Sequence, residues 1–229
     1  MPRTLHPAVH TVRRDAFVEA AQRLIQTRGY AQMSIQDVLD ALEASRGAFY
    51  HYFDSKQALL EAVIDRMVDA GLEAVEPIVS DAKLTALQKF QGVFAGIQQF
   101  KAARRPIVLA VLEVWISDDN AVVREKFRHT AVRRLAPVLT SIVKQGNAEG
   151  VFKTGAADAT ARVLVALMQS FSDEATVLYL ARQANTVTLE EVQRSVAANS
   201  DACERILGLS AGTLTLIDGP GLHFWYGDD

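Results

Sequence analysis

The apolar residues of this chain recur at helical spacing almost from end to end, and that period leaves room for few folds. Val12, Ala16, Phe17, Ala20, Ala21, Leu24 and Ile25 form one stripe, with Gly29 in the place of a helix C-cap, which predicts a first helix over residues 11–28. Ser34 with Asp37 is a capping-box pattern, and it opens a short helix with Ile35, Val38, Leu39 and Leu42 on one face. After a break at Glu43-Ala44, Ser45 can cap a second short helix, with Phe49 and Phe53 one turn apart on its inner face. Asp54 and Gln57 open a longer helix over 56–76, with Pro77 expected at its fraying end. Further helices are expected over 83–103, 106–117, 119–147, 156–183 and 188–208, the third of them kinked at Pro137. Gly146 and Gly150 punctuate a turn before Val151-Phe152. Only Thr213 to Ile217 alternates, and the glycine-rich end behind it reads as extended or poorly ordered. The expected fold is all-α: a three-helix unit at 1–55, a larger helical body at 56–212 and a tail at 213–229.

Composition narrows the function classes. At 229 residues and 49% hydrophobic the chain can bury its own core. No apolar run exceeds six residues, as in Ile107–Leu112, against about 20 for a membrane span. A single cysteine, Cys203, forbids an intrachain disulfide, and Met1 to Thr11 lack a signal-peptide core, so a cytoplasmic protein without membrane contact is expected. One cysteine and scattered histidines give no zinc pattern, and no glycine-rich phosphate loop, His-Glu-x-x-His or Gly-x-Ser-x-Gly is present. Asp118-Asp119 and Asp173-Glu174 are adjacent on helices and do not face each other. No cofactor, no metal and no enzyme activity is therefore expected; the alternative is an all-helical small-molecule-binding protein or enzyme without DNA binding. The net charge is −3, of which residues 1–60 carry +1, a balance that permits nucleic-acid binding at one end without arguing for it.

The side chains suited to binding a duplex gather on the second short helix. Two short helices joined by a tight turn on a longer one form a helix-turn-helix, whose second helix enters the major groove. With Phe49 and Phe53 inward, Arg46, Tyr50, His51 and Tyr52 should point outward. Gly47 and Ala48 leave no bulk near the helix start, so backbone can approach a duplex. Serine and tyrosine hydroxyls are good phosphate donors, and arginine can pair bidentately with guanine.

The run from Gly29 through Ser34, Val38, Ala41, Ser45 and Gly47 to Phe49-Tyr50-His51-Tyr52-Phe53, followed by Ser55-Lys56 and Leu59-Leu60, resembles the TetR/AcrR family of bacterial transcriptional regulators. The resemblance covers residues 12–64, with a weaker echo in Gly146 to Phe152. It implies a homodimer in which each N-terminal domain meets half of a palindromic double-stranded DNA operator. Each body would bind a small-molecule effector and dimerise through its last two long helices, 156–183 and 188–208. By position, the resemblance assigns phosphate contacts to Ser34, Ser45, Tyr50, Tyr52 and Lys56, and places Arg46, Ala48 and His51 nearest the bases. Glu43 stands where the family usually has glycine, in a turn that can require positive φ.

In the body, the helix at 106–117 is apolar nearly all round yet contains Glu113, which is either an anchor for a cationic ligand group, the partner of Arg104, Arg105 or Arg133, or a surface residue. The resemblance puts the effector pocket among the middle helices, which makes Phe94, Trp115, Phe127, Met168 and Phe171 its expected lining beside Glu113. The stripes Leu164, Leu167, Met168, Phe171, Ala175, Leu178 and Val192, Val196, Cys203, Ile206, Leu207 are expected to serve dimerisation.

Overall fold

The computed structural model describes residues 7–116 and 120–227, with side chains for 10–112, 115–116 and 120–227. Arg3, Asp118-Asp119 and the Glu113 side chain lie outside the described residues. The described residues form ten helices: α1 (Pro7–Arg28), α2 (Ile35–Leu42), α3 (Arg46–Tyr50), α4 (Lys56–Ser80), α5 (Ala86–Ala102), α6 (Arg105–Trp115), α7 (Ala121–Ala148), α8 (Ala157–Gln183), α9 (Leu189–Leu207) and α10 (Gly219–Tyr226). The all-α expectation holds.

Two compact units divide the chain. One contains α1, α2, α3, α4 as far as Ala70, α6, and α7 as far as Phe127. Its core joins Phe17, Ala21 and Ile25 of α1, Val38 and Leu39 of α2, Phe49 of α3, Leu59, Leu60 and Val63 of α4, and Ile107 of α6. The other contains the rest of α4, α5, the rest of α7, and α8 to α10. Phe90, Val93, Leu139, Ile142, Phe152, Leu164, Val165, Cys203 and Leu207 fill its main core. Burial first, and the neighbouring Glu204 second, push the Cys203 thiol up to about 11, as expected for a packed rather than reactive cysteine.

Three expectations need correction. Pro77 does not end its helix: α4 runs on to Ser80. Gly92 and Gly96 of α5 let Ile78 and Val75 approach so closely that an added Cβ would sit 2.8 Å from Ile78 Cγ2 and 2.9 Å from Val75 Cγ1. That packing holds the last turn despite the missing proline N–H.

The tail is also more ordered than its glycines suggest. Leu214 and Leu216 are buried with exposed Thr215 between them, an extended segment, but Gly219–Tyr226 is helical. Asp218 caps α10 by accepting from Gly221 N at 2.8 Å, and Leu222 and Tyr226 pack against Phe171, Leu189 and Val192. The buried carboxylate of Glu204 accepts from Gly212 N (3.1 Å) and Leu214 N (2.7 Å), fastening the segment to α9. Charge-assisted bonds of this kind contribute about 1.5–3 kcal/mol each.

The stripes expected to form a dimer seam are instead largely used within the protomer. Leu164, Phe171, Val192, Val196, Cys203 and Leu207 are all buried by the chain itself. The large apolar residues exposed on α8 are Val163 and Val177, at 53% and 59%. By length and composition α8 is also long and apolar enough to cross a membrane.

Candidate nucleic-acid interface

Local capping builds the interface. Ser34 Oγ accepts from Asp37 N at 3.1 Å and donates to Asp37 Oδ2 at 2.6 Å, while Ser34 N donates to the same carboxylate at 2.7 Å. These bonds from Ser34, with Arg28 adding at 3.1 Å, hold Asp37 below the usual carboxylate range. Ser45 Oγ accepts from Ala48 N at 3.2 Å and starts α3. Between the two helices, Glu43 lies at φ 49°, ψ 41°, the left-handed conformation that its position demanded. A side chain there costs about 1–2 kcal/mol, partly offset in glycine by its greater loss of backbone freedom. Glu43→Gly is therefore expected to raise stability by about 0.5–1 kcal/mol in urea denaturation; an unchanged or lowered midpoint would show the turn to be unstrained.

Phe49 holds α3 in place. Its side chain is wholly buried, with ring centroids 5.8 Å from Phe17 and 5.7 Å from Phe53. Arg46, Gly47, Tyr50 and His51 consequently face solvent, Tyr50 being 52% exposed with its ring edge-on to Phe49 at 5.3 Å. Gly47 has no internal reason to be glycine: an added Cβ would meet only Ser45 Oγ, at 3.9 Å. Ala48 is half-buried.

Two of the expected outward side chains are more engaged than their positions suggested. Tyr52 is half-buried, its ring 4.6 Å from His10 and 5.8 Å from Phe17. The chain beyond α3 continues to turn, Tyr52 N and Phe53 N both donating to Phe49 O, and this rotates the ring toward the core. Lys56 donates to Ala31 O at 3.3 Å, and its ammonium lies 4.3 Å from the centre of the Tyr30 ring. Burial pulls its amine below the ordinary lysine range. Ser34, with its hydroxyl committed to Asp37, is likewise a structural cap in this state.

The expected effector residues fall in separate places. Trp115 and Phe127 meet edge-on at 4.9 Å and pack against the first core. Phe94 is buried beside Phe90 at 5.1 Å, and Met168 lies half-buried on the same core. Phe171 belongs to the cluster under α10. Sequence reading missed a groove of about 370 Å³ between α9 and the C-terminal segment, lined by Val196, Ala197, Ser200, Asp201, Glu204 and Leu214 among others. Its signal was the Asp218-Gly-Pro-Gly sequence, a helix start that folds the tail back. Among the described residues, no group of three or more His, Cys, Asp or Glu could hold a metal ion.

Residues 17–63 match the bacterial regulatory proteins of the tetR family. The chain is similar to the HTH-type transcriptional repressor DhaR of Mycobacterium sp. (strain GP1), 25% identical over 55% of this chain and 73% of that protein. It is also similar to the HTH-type transcriptional regulator EthR of Mycolicibacterium smegmatis, 38% identical over 30% of this chain, but only 34% of that regulator's length. A crystal structure of a TetR transcription regulator from Haloarcula marismortui shares the fold, with TM-score 0.58 and 17% identity over 86% of this chain and 97% of that one.

Proposed function

We propose that the chain, whose residues 17–63 match the bacterial regulatory proteins of the tetR family, is a ligand-responsive, DNA-binding transcriptional regulator, acting as a repressor that a small apolar effector releases from a palindromic operator. The observation that carries this reading is the face formed by Ser45, Arg46, Gly47, Tyr50 and His51, exposed and fixed to a wholly buried Phe49. Ser45, Tyr50 and the edge of Tyr52 would meet phosphates; Arg46 and His51 would reach bases, with Gly47 and Ala48 admitting the backbone. Ser34 and Lys56 can join only by exchanging the Asp37 and Ala31 bonds for phosphate.

DNA and effector must prefer different states of the protein, because only a difference in affinity moves an equilibrium. We assign the effector to Trp115 and Phe127, which meet edge-on and keep exposed surface. Glu113, on the same helix as Trp115, would anchor a cationic group of the effector. A bacterial regulator that works on chromosomal DNA would act in the cytoplasm. The partner copy would sit on α8 and α9, where Val163, Ala166 and Val177 offer an outward apolar face.

Binding of a labelled duplex by Arg46→Ala and Gly47→Leu tests the assignment. Arg46→Ala should weaken duplex binding by about 1–3 kcal/mol and relax the preference for sequence at the base it meets. Gly47→Leu should leave the thermal midpoint unchanged and weaken duplex binding at least about tenfold, about 1.4 kcal/mol. Wild-type affinity in both variants would remove α3 from the interface.

A further inference from the structure

Two imidazoles meet beside the recognition helix. His10, in the first turns of α1, is half-buried, and its ring lies edge-on to that of exposed His51, with centroids 5.3 Å apart. Tyr52 closes the group at 4.6 Å from His10 and 4.9 Å from His51, and leans in turn on Phe17 at 5.8 Å. The pair is thus anchored to the buried aromatic core, at the edge of the proposed interface, by a residue that itself belongs to it.

The elements that carry and adjoin the pair bear charges of both signs, Asp15 of α1 among them. Arg13 and Arg14 follow His10 by three and four residues on α1, and Arg14 lies 5.2 Å over the Phe53 ring. Arg46 precedes His51 on α3, and Arg104 and Arg105 stand at the start of α6, which packs on α1. Of the carboxylates, Asp54 follows the group; on α2, Asp37 is taken by Ser34 and Arg28, and Asp40 by Gln36, while Glu43 lies in the turn beyond. On α4, Lys56 is turned to Tyr30, and Glu61 is paired with Lys126.

Imidazole is the side chain whose charge changes between about pH 5 and pH 8. A proton placed on this pair would stand at the face offered to the duplex. A duplex carries one negative charge per roughly 1.7 Å of its axis, and so favours the same proton. Proton uptake and duplex binding then promote each other.

We propose that His10 joins His51 in the nucleic-acid interface and that the pair takes up a proton as the protein engages a duplex, so that affinity rises as pH falls. The proposal rests on the DNA-binding reading above. Fluorescence anisotropy tests it, using the full chain, a labelled mixed-sequence duplex of about 30 base pairs (enough for two half-sites a helical turn apart) and constant ionic strength. Between about pH 8 and pH 6, where imidazole titrates, wild-type affinity should rise at least about tenfold, as uptake of about half a proton or more per pH unit requires. His10→Asn should remove at least half of that rise on the logarithmic scale. His51→Arg, carrying a fixed charge, should bind with little dependence on pH. Far-UV circular dichroism of each variant across the interval establishes that the helices persist. A duplex that binds equally at every pH, or a full pH response in His10→Asn, overturns the proposal while leaving the DNA-binding reading standing. A fully helical protein that binds no duplex at any pH overturns both.

Discussion

Replacing Phe49 with alanine should lower the stability of the protein by about 3–5 kcal/mol and abolish duplex binding. The ring has no exposed surface and touches Phe17, Tyr50 and Phe53, so truncation leaves a void at the junction of α1, α3 and the start of α4. Native interiors close such voids only in part, which is why the cost exceeds the transfer energy of the lost atoms. Arg46, Tyr50 and His51 take their direction from that ring, because α3 is only five residues long and cannot hold itself. Urea denaturation followed by circular dichroism measures the loss, and anisotropy at low urea measures binding by what remains folded. A loss below about 1 kcal/mol, small against the cost of emptying a packed aromatic site, with intact binding would mean that α3 is positioned by something else.

Gly146→Ala should be nearly as damaging, for the opposite reason. Gly146 lies inside α7, where alanine would ordinarily gain about 1 kcal/mol. Here the added Cβ would fall 2.0 Å from Phe152 Cδ2, and Phe152 is itself buried against Phe90. The ring cannot swing aside, because Val151 N and Phe152 N are both tied to Gly146 O at 3.0 Å. The expected net loss is about 3 kcal/mol, the cost of displacing a core phenylalanine less the gain in helix propensity. Gly146→Ala with Phe152→Ala should be more stable than the sum of the single losses predicts, because the second change removes the clash made by the first. Additive losses would show that the steric contact is not the cause.

Such local rules account for what could be read in advance. Ser34 with Asp37 forms a capping box in the structure where its spacing placed it. Glu43 ends the first short helix in the left-handed conformation expected where the family usually has glycine. Contacts between distant segments were not legible. The α4 helix outlasts Pro77 because two glycines on α5 receive it, and the tail folds back because Glu204, ten residues before Leu214, binds its backbone. Helical period identifies Leu164 and Val192 as apolar-face residues, but not whether the covering partner is the same chain or a second copy. Tyr52 and Lys56 show the same limit at the interface: periodicity sets the angle of a side chain around its helix, while His10 and Tyr30, brought near by tertiary packing, decide how far it is covered.

The exposed α3 face is the centre of the account, and selection of duplexes from a random-sequence library by the purified protein, with hydroxyl-radical footprinting of those retained, probes it most directly. Recovery of a two-fold symmetric sequence, protected at two major-groove segments about one helical turn apart, roughly 34–36 Å, is the predicted result. Failure to retain any duplex even at low salt, by protein whose circular dichroism is fully helical, would contradict it.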